Sequence, residues 1–287
     1  MNNNKITLST SDVPEKLRNI PQPPKQLFVM GNDVNELLKR PSVTVIGSRN
    51  VSAYGKAVTV SLAGELAKAG LVIISGLALG VDSLAHKAAL DVGGLTIAVL
   101  PSGVESIYPR SHYGLAMQIL QQGGALVSEY DGGIPSMKHL FIARNRIASG
   151  LGDALLITEA AEKSGTLHTA NFALEQGRPV LAVPGNITSP TSAGTNNLIK
   201  TGATPVTCVQ DVFYALGLDL TTKKKQAPRS SNPNEQILLD LLFGGISDGT
   251  ELLDQSELDV SLFNQTLTML EIRGHIRPLG NNHWALQ

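Results

Sequence analysis

Short apolar runs alternate with amphipathic stretches between Val43 and Val206. Each run is rich in β-branched residues and leads into a turn, and continuous runs of this length are typical of strands buried on both faces of a parallel sheet. The runs are Val43–Ile46, Leu71–Ser75, Thr96–Leu100, Ala125–Ser128, Ala154–Thr158, Val180–Val183 and Ala203–Val206. Because the stretches between them have helical periodicity, the pattern predicts an α/β fold with a doubly wound, mainly parallel, Rossmann-like sheet.

The chain outside this repeat predicts three further parts. Residues 1–40 look too short and irregular for a domain and are expected to form a lead-in to the core at 41–220. Residues 221–234 contain three consecutive lysines and two prolines without apolar periodicity, which predicts a linker. In residues 235–287, three helical patterns precede an alternating stretch that is interrupted by a Gly-Asn-Asn turn. Helices followed by a hairpin predict a small winged-helix domain.

Composition narrows the class of protein. Of 287 residues, 42% are hydrophobic and 16% are charged, as in a soluble globular chain. No apolar run approaches the ~18 residues of a membrane helix, and the N-terminal sequence has no apolar leader segment. One cysteine and six histidines without ligand spacing predict no metal site. We therefore expect a cytoplasmic protein with no membrane insertion, no metal and no cofactor.

The net charge of −1 conceals an uneven distribution. Residues 1–234 hold 21 Lys and Arg against 16 Asp and Glu, a balance of +5, whereas residues 235–287 hold 2 against 8, a balance of −6. Duplex phosphates would repel a recognition helix, here Asp259 to Arg273, in so acidic a domain. We expect the winged helix to contact protein or to regulate the core.

The turns after the predicted strands are candidates for a phosphate site, because ligands of doubly wound sheets bind outside the carboxyl ends of the strands. The first turn, Gly47-Ser48-Arg49, lacks the second glycine of a dinucleotide fingerprint. It does not fit a Walker A loop either, since Ala57 stands where a magnesium-binding hydroxyl is needed. The segment Ser164-Gly165-Thr166 lies at a predicted helix start, where free N–H groups favour an anion. Glycine is common in any strand-to-helix turn, so a single turn of this kind does not indicate a function. The phosphate site is predicted because several such turns lie on one edge of the sheet.

The segment "MKHLFIARNRIASG" indicates which anion this edge would bind. It places Lys138, Arg144 and Arg146 within nine residues, with Phe141 and Asn145 among them. Basic groups beside an aromatic ring are what a single-stranded nucleic acid requires. One alternative stays open, namely a solvated basic helix face with Phe141 in the core.

These motifs resemble those of the DNA-processing family called DprA or Smf. The family pattern runs from a GSR turn through SGLA-x-G-[IV]-D-x-x-A-H, IYP-R, SEY, H-x-F-x-x-RNR-I-x-SGL and SG-[ST]-L-x-TA to AVPG. This chain carries the GSR turn, "SGLALGVDSLAH", "GVESIYPR", "SEY", "HLFIARNRIASGL", "SGTLHTANFALEQGR" and "AVPG" in that order between Gly47 and Gly185. Chance does not explain such a series.

The resemblance implies a non-catalytic homodimer that binds single-stranded DNA, protects incoming DNA and loads RecA recombinase in natural transformation. It implies that Phe141 lies against a base and that Arg49 is the counter-charge of a phosphate cupped by the first turn. The DNA-binding residues expected on this basis are Gly47, Ser48, Arg49, Lys138, Phe141, Arg144, Asn145, Arg146, Ser164, Gly165 and Thr166.

Three positions depart from the family pattern. Leu79 stands where a cation is usual, Pro101 where glycine is usual, and His168 where an aliphatic residue is usual. Loss of a cation at position 79 is expected to weaken DNA affinity, whereas His168 is expected to add a polar contact or a mild pH response. The helical domain that precedes the core in many members has no counterpart in residues 1–40.

Two enzymatic functions compete with DNA binding. A nucleotide-binding or nucleotide-hydrolysing enzyme of the related Rossmann-like superfamily would use a glutamate where Thr169 stands, so its acid/base group is missing. Glu129 and Glu159 also follow strands and are possible reactive groups, although we expect them to accept hydrogen bonds from turn amides. An NAD-dependent oxidoreductase does not fit the glycine pattern.

Overall fold

A nine-stranded sheet forms the centre of the first part of the chain. The computed structural model describes residues 5–134, 136–218, 230, 232–280 and 282–286, which form one unit ending at Leu218 and a second unit from residue 230 onward. The strands described in the first unit are β1 (Lys5–Ser9), β2 (Gln26–Gly31), β3 (Ser42–Ile46), β4 (Val72–Ser75), β5 (Thr96–Leu100), β6 (Ala125–Ser128), β7 (Ala154–Ile157), β8 (Val180–Ala182) and β9 (Thr204–Pro205).

The strands lie in the order β1-β2-β6-β5-β4-β3-β7-β8-β9. Every pairing from β6 to β9 along this order is parallel, and β3, β4, β5 and β7 are buried along their whole length. The predicted α/β class and the doubly wound, mainly parallel sheet are confirmed.

Helices cover both faces of the sheet. The helices described in the first unit are α1 (Glu15–Arg18), α2 (Val34–Leu37), α3 (Ala53–Lys68), α4 (Val81–Asp91), α5 (Tyr113–Gln121), α6 (Lys138–Leu151), α7 (Thr166–Glu175), α8 (Ala193–Lys200) and α9 (Val209–Ala215). On one face, Leu62 and Leu66 of α3 pack with Val43 and Val45 of β3. On the other face, Leu151 of α6 packs with the side chains of β4 and β5.

The sheet begins earlier than residue 41, where the sequence analysis placed the start of the core. Strand β2 pairs antiparallel with β6, and β1 pairs antiparallel with β2. The physical reason is the apolar run Leu27–Met30, whose four residues are all buried by addition to the sheet edge. Residues 5–40 are therefore part of the sheet and its packing helices rather than a separate lead-in.

The strand order reverses at β3. The chain passes from β3 through β4 and β5 to β6 on one side, and then crosses to β7 on the other side of β3. The crevice at such a reversal, outside the carboxyl ends of the strands, is where ligands of doubly wound sheets bind. In this chain the turns after β3 and β7 border that crevice.

The second unit has three helices followed by a hairpin. Its described elements are α10 (Pro233–Phe243), α11 (Gly249–Ser256), α12 (Val260–Ile272), β10 (Ile276–Gly280) and β11 (His283–Leu286). The two strands pair antiparallel, and the unit has its own core, which includes Leu238, Leu267 and Ile276. This is the arrangement of a winged helix.

Helix α10 begins inside the segment predicted as a linker. The Asn232 side chain accepts a hydrogen bond from the Asn234 N–H, and Pro233 is the first helical residue, a position that proline favours. Residues 221–229 and 231 of the predicted linker lie outside the described residues. Among the described helices of either unit, none has the length and apolar composition needed to cross a bilayer.

Candidate nucleic-acid interface

Hydrogen bonds join the turns that follow β3 and β7. The Thr166 hydroxyl donates to the Gly47 carbonyl at 3.2 Å, and the Ser164 hydroxyl donates to the Thr166 oxygen at 2.9 Å. The Ser48 N–H donates to the Glu159 carbonyl at 2.8 Å. Since the two turns follow the strands on either side of the reversal, the structure brings Gly47, Ser48, Ser164 and Thr166 together at one crevice.

Helix α7 begins at this crevice. Gly165, which precedes its first residue, is exposed, and the positive end of the helix dipole lies on the same edge. One amide of the turn, the Thr166 N–H, donates to the Ser164 hydroxyl at 3.2 Å. His168 is exposed on the first turn of the helix. The Leu167 and His168 amides donate to the Ser164 and Gly165 carbonyls at 3.1 and 3.3 Å. The helix start therefore offers the positive end of its dipole and a nearby imidazole at the predicted phosphate edge.

The carboxylate of Glu159 fixes the start of α3. It is 1% exposed, and it accepts hydrogen bonds from the Ser52 N–H at 2.8 Å and from the Ser52 hydroxyl at 2.5 Å. The expectation that Glu159 binds a turn amide is confirmed. Since each of its two oxygens accepts one of these bonds, this carboxylate has a structural role beneath the turn.

Arg49 and Phe141 come together above the crevice. The guanidinium carbon of Arg49 lies 5.1 Å from the centroid of the Phe141 ring, which is within cation–π range. Arg49 is exposed and Phe141 is half-buried. Phe141 is a member of none of the apolar clusters formed by the described residues, which argues against the alternative that it belongs to the core. Lys138 is exposed one helical turn before Phe141 on α6, so it lies on the same side of that helix.

The turn before α4 packs directly against the first turn. Gly80 has a φ of +79°, and a Cβ at this position would lie 2.3 Å from the Ser48 carbonyl oxygen. The next residue, Val81, donates its N–H to the same Ser48 oxygen at 3.1 Å. Only glycine allows the backbone at position 80 to approach the Ser48 carbonyl this closely, so Gly80 determines how near the Gly47–Arg49 turn lies to the start of α4. Leu79, where the family usually has a cation, is 52% exposed beside it.

Arg144 does not lie on the surface, which corrects its expected role as a DNA contact. It is 4% exposed, and its guanidinium donates to the Gly76 carbonyl at 2.6 Å and to the Val99 carbonyl. A Cβ on Gly76 would lie 2.2 Å from the same guanidinium. Arg144 therefore supports the turn after β4 from beneath.

A periodic signal could have revealed this burial from the sequence. Leu140, Arg144, Ile147 and Leu151 recur at spacings of four, three and four residues, and all four are buried. That spacing marks the inward stripe of α6. The charge of Arg144 predicts a DNA contact on the surface. Its place in the inward stripe of α6 predicts burial, and burial is what the structure shows.

Buried polar groups surround the Arg144 guanidinium. The Asp82 carboxylate, 7% exposed, accepts hydrogen bonds from the Gly76 and Ala78 amides at 3.1 and 3.4 Å. Burial raises the pKa of Asp82, and the positive charge of Arg144 opposes that rise. Burial lowers the pKa of His86 to about 3, assisted by the nearby charges of His112 and Arg144. The His86 Nδ1–H donates to the Thr96 hydroxyl at 2.6 Å, because that hydroxyl donates onward to the Ile73 carbonyl.

Arg146 and Asn145 are also held within the protein. Arg146 donates to both carboxylate oxygens of Glu129 at 2.6 Å, and its side chain is 11% exposed. Glu129 thus pairs with a cation, whereas the sequence analysis expected it to bind turn amides. The Asn145 side-chain oxygen accepts a bond from the Arg144 Nε–H at 3.2 Å, and the residue is half-buried. Of the cations expected to face DNA, Arg49 and Lys138 are the exposed ones.

A family model described as "DNA recombination-mediator protein A" matches residues 4–217 of the chain. This match covers the whole described sheet and ends before the second unit. Among curated proteins, Protein Smf of Escherichia coli is 47% identical over 197 residues, which are 69% of this chain and 52% of that protein. DNA processing protein DprA of Bacillus subtilis is 40% identical over 213 residues, which are 74% of this chain and 71% of that protein. The chain thus spans about half the length of the Escherichia coli relative.

Two solved structures are similar over about three quarters of this chain. The X-ray structure of DNA processing protein A from Streptococcus pneumoniae has a TM-score of 0.68 and 41% identity, and the match covers 73% of each chain. A structure of DNA processing protein A from Helicobacter pylori has a TM-score of 0.66 and 35% identity, with 74% of this chain and 95% of that chain covered. The fold and the sequence motifs therefore indicate the same relatives.

Proposed function

Because the chain belongs to the DNA recombination-mediator protein A family, we propose that it binds single-stranded DNA at the carboxyl edge of its first unit and acts as a recombination mediator. The observation that carries this proposal is the exposed Arg49 guanidinium over the Phe141 ring, beside a crevice bordered by glycine turns and a helix start. A cation for a phosphate and an aromatic ring for a base are thus in contact with each other.

In this proposal each group at the edge has a role. The Arg49 guanidinium and the positive end of the α7 dipole bind a backbone phosphate beside the Gly47–Arg49 turn. Phe141 stacks against a base, which contributes about 1–3 kcal/mol without selecting a sequence, because every base has a flat face. Lys138 neutralises a neighbouring phosphate. Arg144, Arg146 and Asn145 support the surface from within.

Relatives support the choice of ligand. The Helicobacter pylori structure concerns the single-stranded DNA binding mode of that protein, and its match covers 74% of this chain. We extend this ligand to the present chain because the GSR turn and Phe141 lie together at its crevice. Loading of RecA recombinase, protection of incoming DNA in natural transformation, a homodimeric state and a cytoplasmic location form the rest of the proposal.

A nucleotide-hydrolysing enzyme is the less favoured function. The position of the acid/base glutamate is held by Thr169, which is 2% exposed. The buried Glu159 carboxylate accepts bonds from Ser52, and Glu129 pairs with Arg146. Neither carboxylate is placed as a free general base, so we propose that the protein binds DNA without a catalytic step.

The test is fluorescence anisotropy of a labelled oligo-dT and a matched duplex at two salt concentrations. We compare the wild-type protein with an Arg49→Ala/Lys138→Ala variant and, as a control, a Lys68→Ala/Lys200→Ala variant. Both control lysines are exposed at the C-terminal ends of helices, away from the crevice. Two phosphate contacts predict a log–log salt slope of about −1.4, since each contact on a single strand contributes ~0.7.

We expect the wild type to bind the single strand more tightly than the duplex. Of the two variants, only the Arg49/Lys138 variant should lose affinity and show a shallower salt slope. Equal binding of the single strand and the duplex, or an undiminished affinity of the Arg49/Lys138 variant, would contradict the proposal. Circular dichroism of both variants checks that the sheet is intact.

A further inference from the structure

Helix α12 of the second unit turns an uncharged face outward. Its inner side chains, which include Phe263, Leu267 and Leu270, are buried in the core of the unit. Glu271, in the last turn, is the single charged residue between Val260 and Ile272. The outward face of a surface helix normally carries charged residues. We call the outward residues the α12 face; they are Val260, Ser261, Asn264, Gln265, Thr268 and Ile272.

The α12 face has an exposed aliphatic side chain at each end. Val260 is 62% exposed and Ile272 is 73% exposed, and twelve helical residues separate them by about 18 Å. Met269, 36% exposed, borders the same face. The side chains between the two ends are neutral and polar. Apolar groups on a surface depleted of charge are typical of the centre of a protein–protein interface.

Carboxylates surround this uncharged centre. Glu257 and Asp259 are exposed just before the helix begins, and Glu271 is exposed at its last turn. Residues 235–287 contain two cations in all, and one of them, Arg273, donates to the buried Glu235 carboxylate at 2.9 Å. The rim of the α12 face is therefore negative.

The sign of this rim selects the kind of occupant. A nucleic acid would bring phosphates against the carboxylates, and a second copy of the same face would bring further carboxylates, so both would be repelled. A protein segment that carries Lys or Arg around a small apolar centre complements both the charge and the apolar ends.

The rim and the face are fixed by hydrogen bonds within the unit. The Asp259 carboxylate accepts from the Ser261 and Leu262 amides at 2.9 and 3.1 Å and so caps the start of α12. The Glu271 carboxylate accepts from the Trp284 indole N–H at 2.7 Å. A partner would therefore meet a surface that is already ordered, which lowers the entropic cost of binding.

We propose that the α12 face docks a basic segment of a protein partner. Apolar side chains of the partner lie against Val260 and Ile272, and its cations lie beside Glu257, Asp259 and Glu271. This inference goes beyond the proposed DNA binding and does not depend on it. Because the face is one helix wide and about 18 Å long, it is smaller than a standard interface, so the docking is weak and reversible.

The experiment measures fluorescence anisotropy of labelled peptides with the full chain at two salt concentrations. The main probe is a lysine–leucine peptide of about 14 residues, long enough as a helix to span the face, with leucines four residues apart along one side. One comparison peptide has serine in place of every leucine, and the other has glutamate in place of every lysine. These peptides separate docking from general charge attraction.

Two double variants alter the surface without disturbing the fold. Val260→Ser/Ile272→Ser removes the apolar ends of the face. Glu257→Gln/Asp259→Asn neutralises the rim, and asparagine at position 259 can still cap the helix. Circular dichroism and oligo-dT binding of both variants should match the wild type.

Each double variant has a matched control. Ile237→Ser/Phe243→Ser removes two exposed apolar side chains, 38% and 43% exposed, from α10 of the same unit. Glu65→Gln/Asp91→Asn neutralises two exposed carboxylates on α3 and α4 of the first unit.

We expect the wild type to bind the lysine–leucine peptide more tightly than either comparison peptide. The Val260/Ile272 variant should bind it about 5- to 30-fold more weakly, as expected when apolar contacts at an interface centre are lost. The Glu257/Asp259 variant should lose affinity at low salt and differ little from the wild type at high salt, because salt screens exposed charges. Both controls should bind like the wild type.

Three results would refute the docking surface. They are absence of binding to the lysine–leucine peptide, equal binding of the serine peptide, and undiminished binding by the Val260/Ile272 variant. Self-association of the wild type that this variant abolishes in sedimentation would assign the face to a second copy and also refute the proposal. Absence of oligo-dT binding by the wild type would instead refute the proposed function, so the two failures are distinguishable.

Discussion

The Arg144 guanidinium donates a 2.6 Å hydrogen bond to the carbonyl oxygen of Gly76, directly beneath the turn that follows β4. The same guanidinium donates to the carbonyl of Val99 in β5. One buried side chain of α6 therefore links two neighbouring strands at the edge proposed to bind DNA. The sequence analysis expected the charge of Arg144 to bind DNA, whereas in the structure it binds backbone carbonyls around the site.

Arg144→Ala should destabilise the protein. The substitution removes two bonds to buried carbonyls and leaves the buried Asp82 carboxylate without its nearby positive charge, so we expect a loss of about 3 kcal/mol or more in the free energy of unfolding. Urea unfolding followed by circular dichroism measures this loss. An Arg144→Ala protein with wild-type stability and reduced oligo-dT affinity would show instead that Arg144 contacts DNA directly.

Gly80→Ala should weaken DNA binding through the neighbouring turn. The added Cβ would collide with the Ser48 carbonyl, which lies 2.3 Å from its ideal position, and would displace the Gly47–Arg49 turn. Gly93→Ala is the matched control, because Gly93 also has a positive φ of +70° but no atom within 4 Å of the added Cβ. Both variants should lose about 1 kcal/mol of stability or more through backbone strain. Only Gly80→Ala should lose oligo-dT affinity, and equal affinities of the two variants would contradict this role.

His86 should make stability fall as the solution is acidified. The pKa of this histidine is about 3 in the folded protein and near 6.5 when exposed, so between these values the unfolded chain binds more protons. Its contribution is therefore complete above about pH 6.5 and decreases as pH falls towards 3, by at most ~1.4 kcal/mol per pH unit.

Urea unfolding between pH 7 and pH 4 tests this dependence, because most of these ~3 pH units lie between the unfolded and folded pKa values of His86. His86→Asn is the comparison, since its amide can still donate to Thr96 but does not titrate. Parallel stability profiles for the two proteins would show that His86 does not cause the slope.

The second unit alone should not bind duplex DNA at moderate salt. Its −6 balance opposes phosphates, and Arg273, at the end of α12, is paired with the buried Glu235 carboxylate at 2.9 Å. Residues 230–287 have their own core, so they can be studied alone. Charge reversal of the exposed Asp254, Glu257 and Asp259 to lysine should create measurable duplex affinity in a gel-shift assay. Tight duplex binding by the unaltered unit would refute the prediction.

The sheet could be predicted because its parallel strands are buried on both faces. Burial on two sides requires unbroken apolar runs such as Thr96–Leu100, and these runs are visible without a structure. The two antiparallel strands of this sheet were missed for two different reasons. β1 is exposed along most of its length, and the apolar run in β2 stands outside the repeated strand–turn–helix pattern. A run such as Leu27–Met30 nevertheless contains four buried residues and is itself a strand signal.

The placement of the candidate site residues could be predicted in part, since a sequence identifies a charge but not the direction in which its side chain points. Gly47, Thr166, Arg49 and Phe141 converge because each follows a strand of the same sheet edge or lies on the helix beside it. Arg144 is turned inward by its place in the apolar stripe of α6.

The hydrogen bonds that join Gly47 to Thr166 and Ser52 to Glu159 are made between groups of the protein itself. A surface held in this way needs little rearrangement when a strand arrives, so capture should be a single step limited by diffusion and by the attraction of opposite charges. Stopped-flow traces would then show one phase whose rate rises in proportion to DNA concentration, and the lifetime of the complex would depend on how quickly the bases unstack.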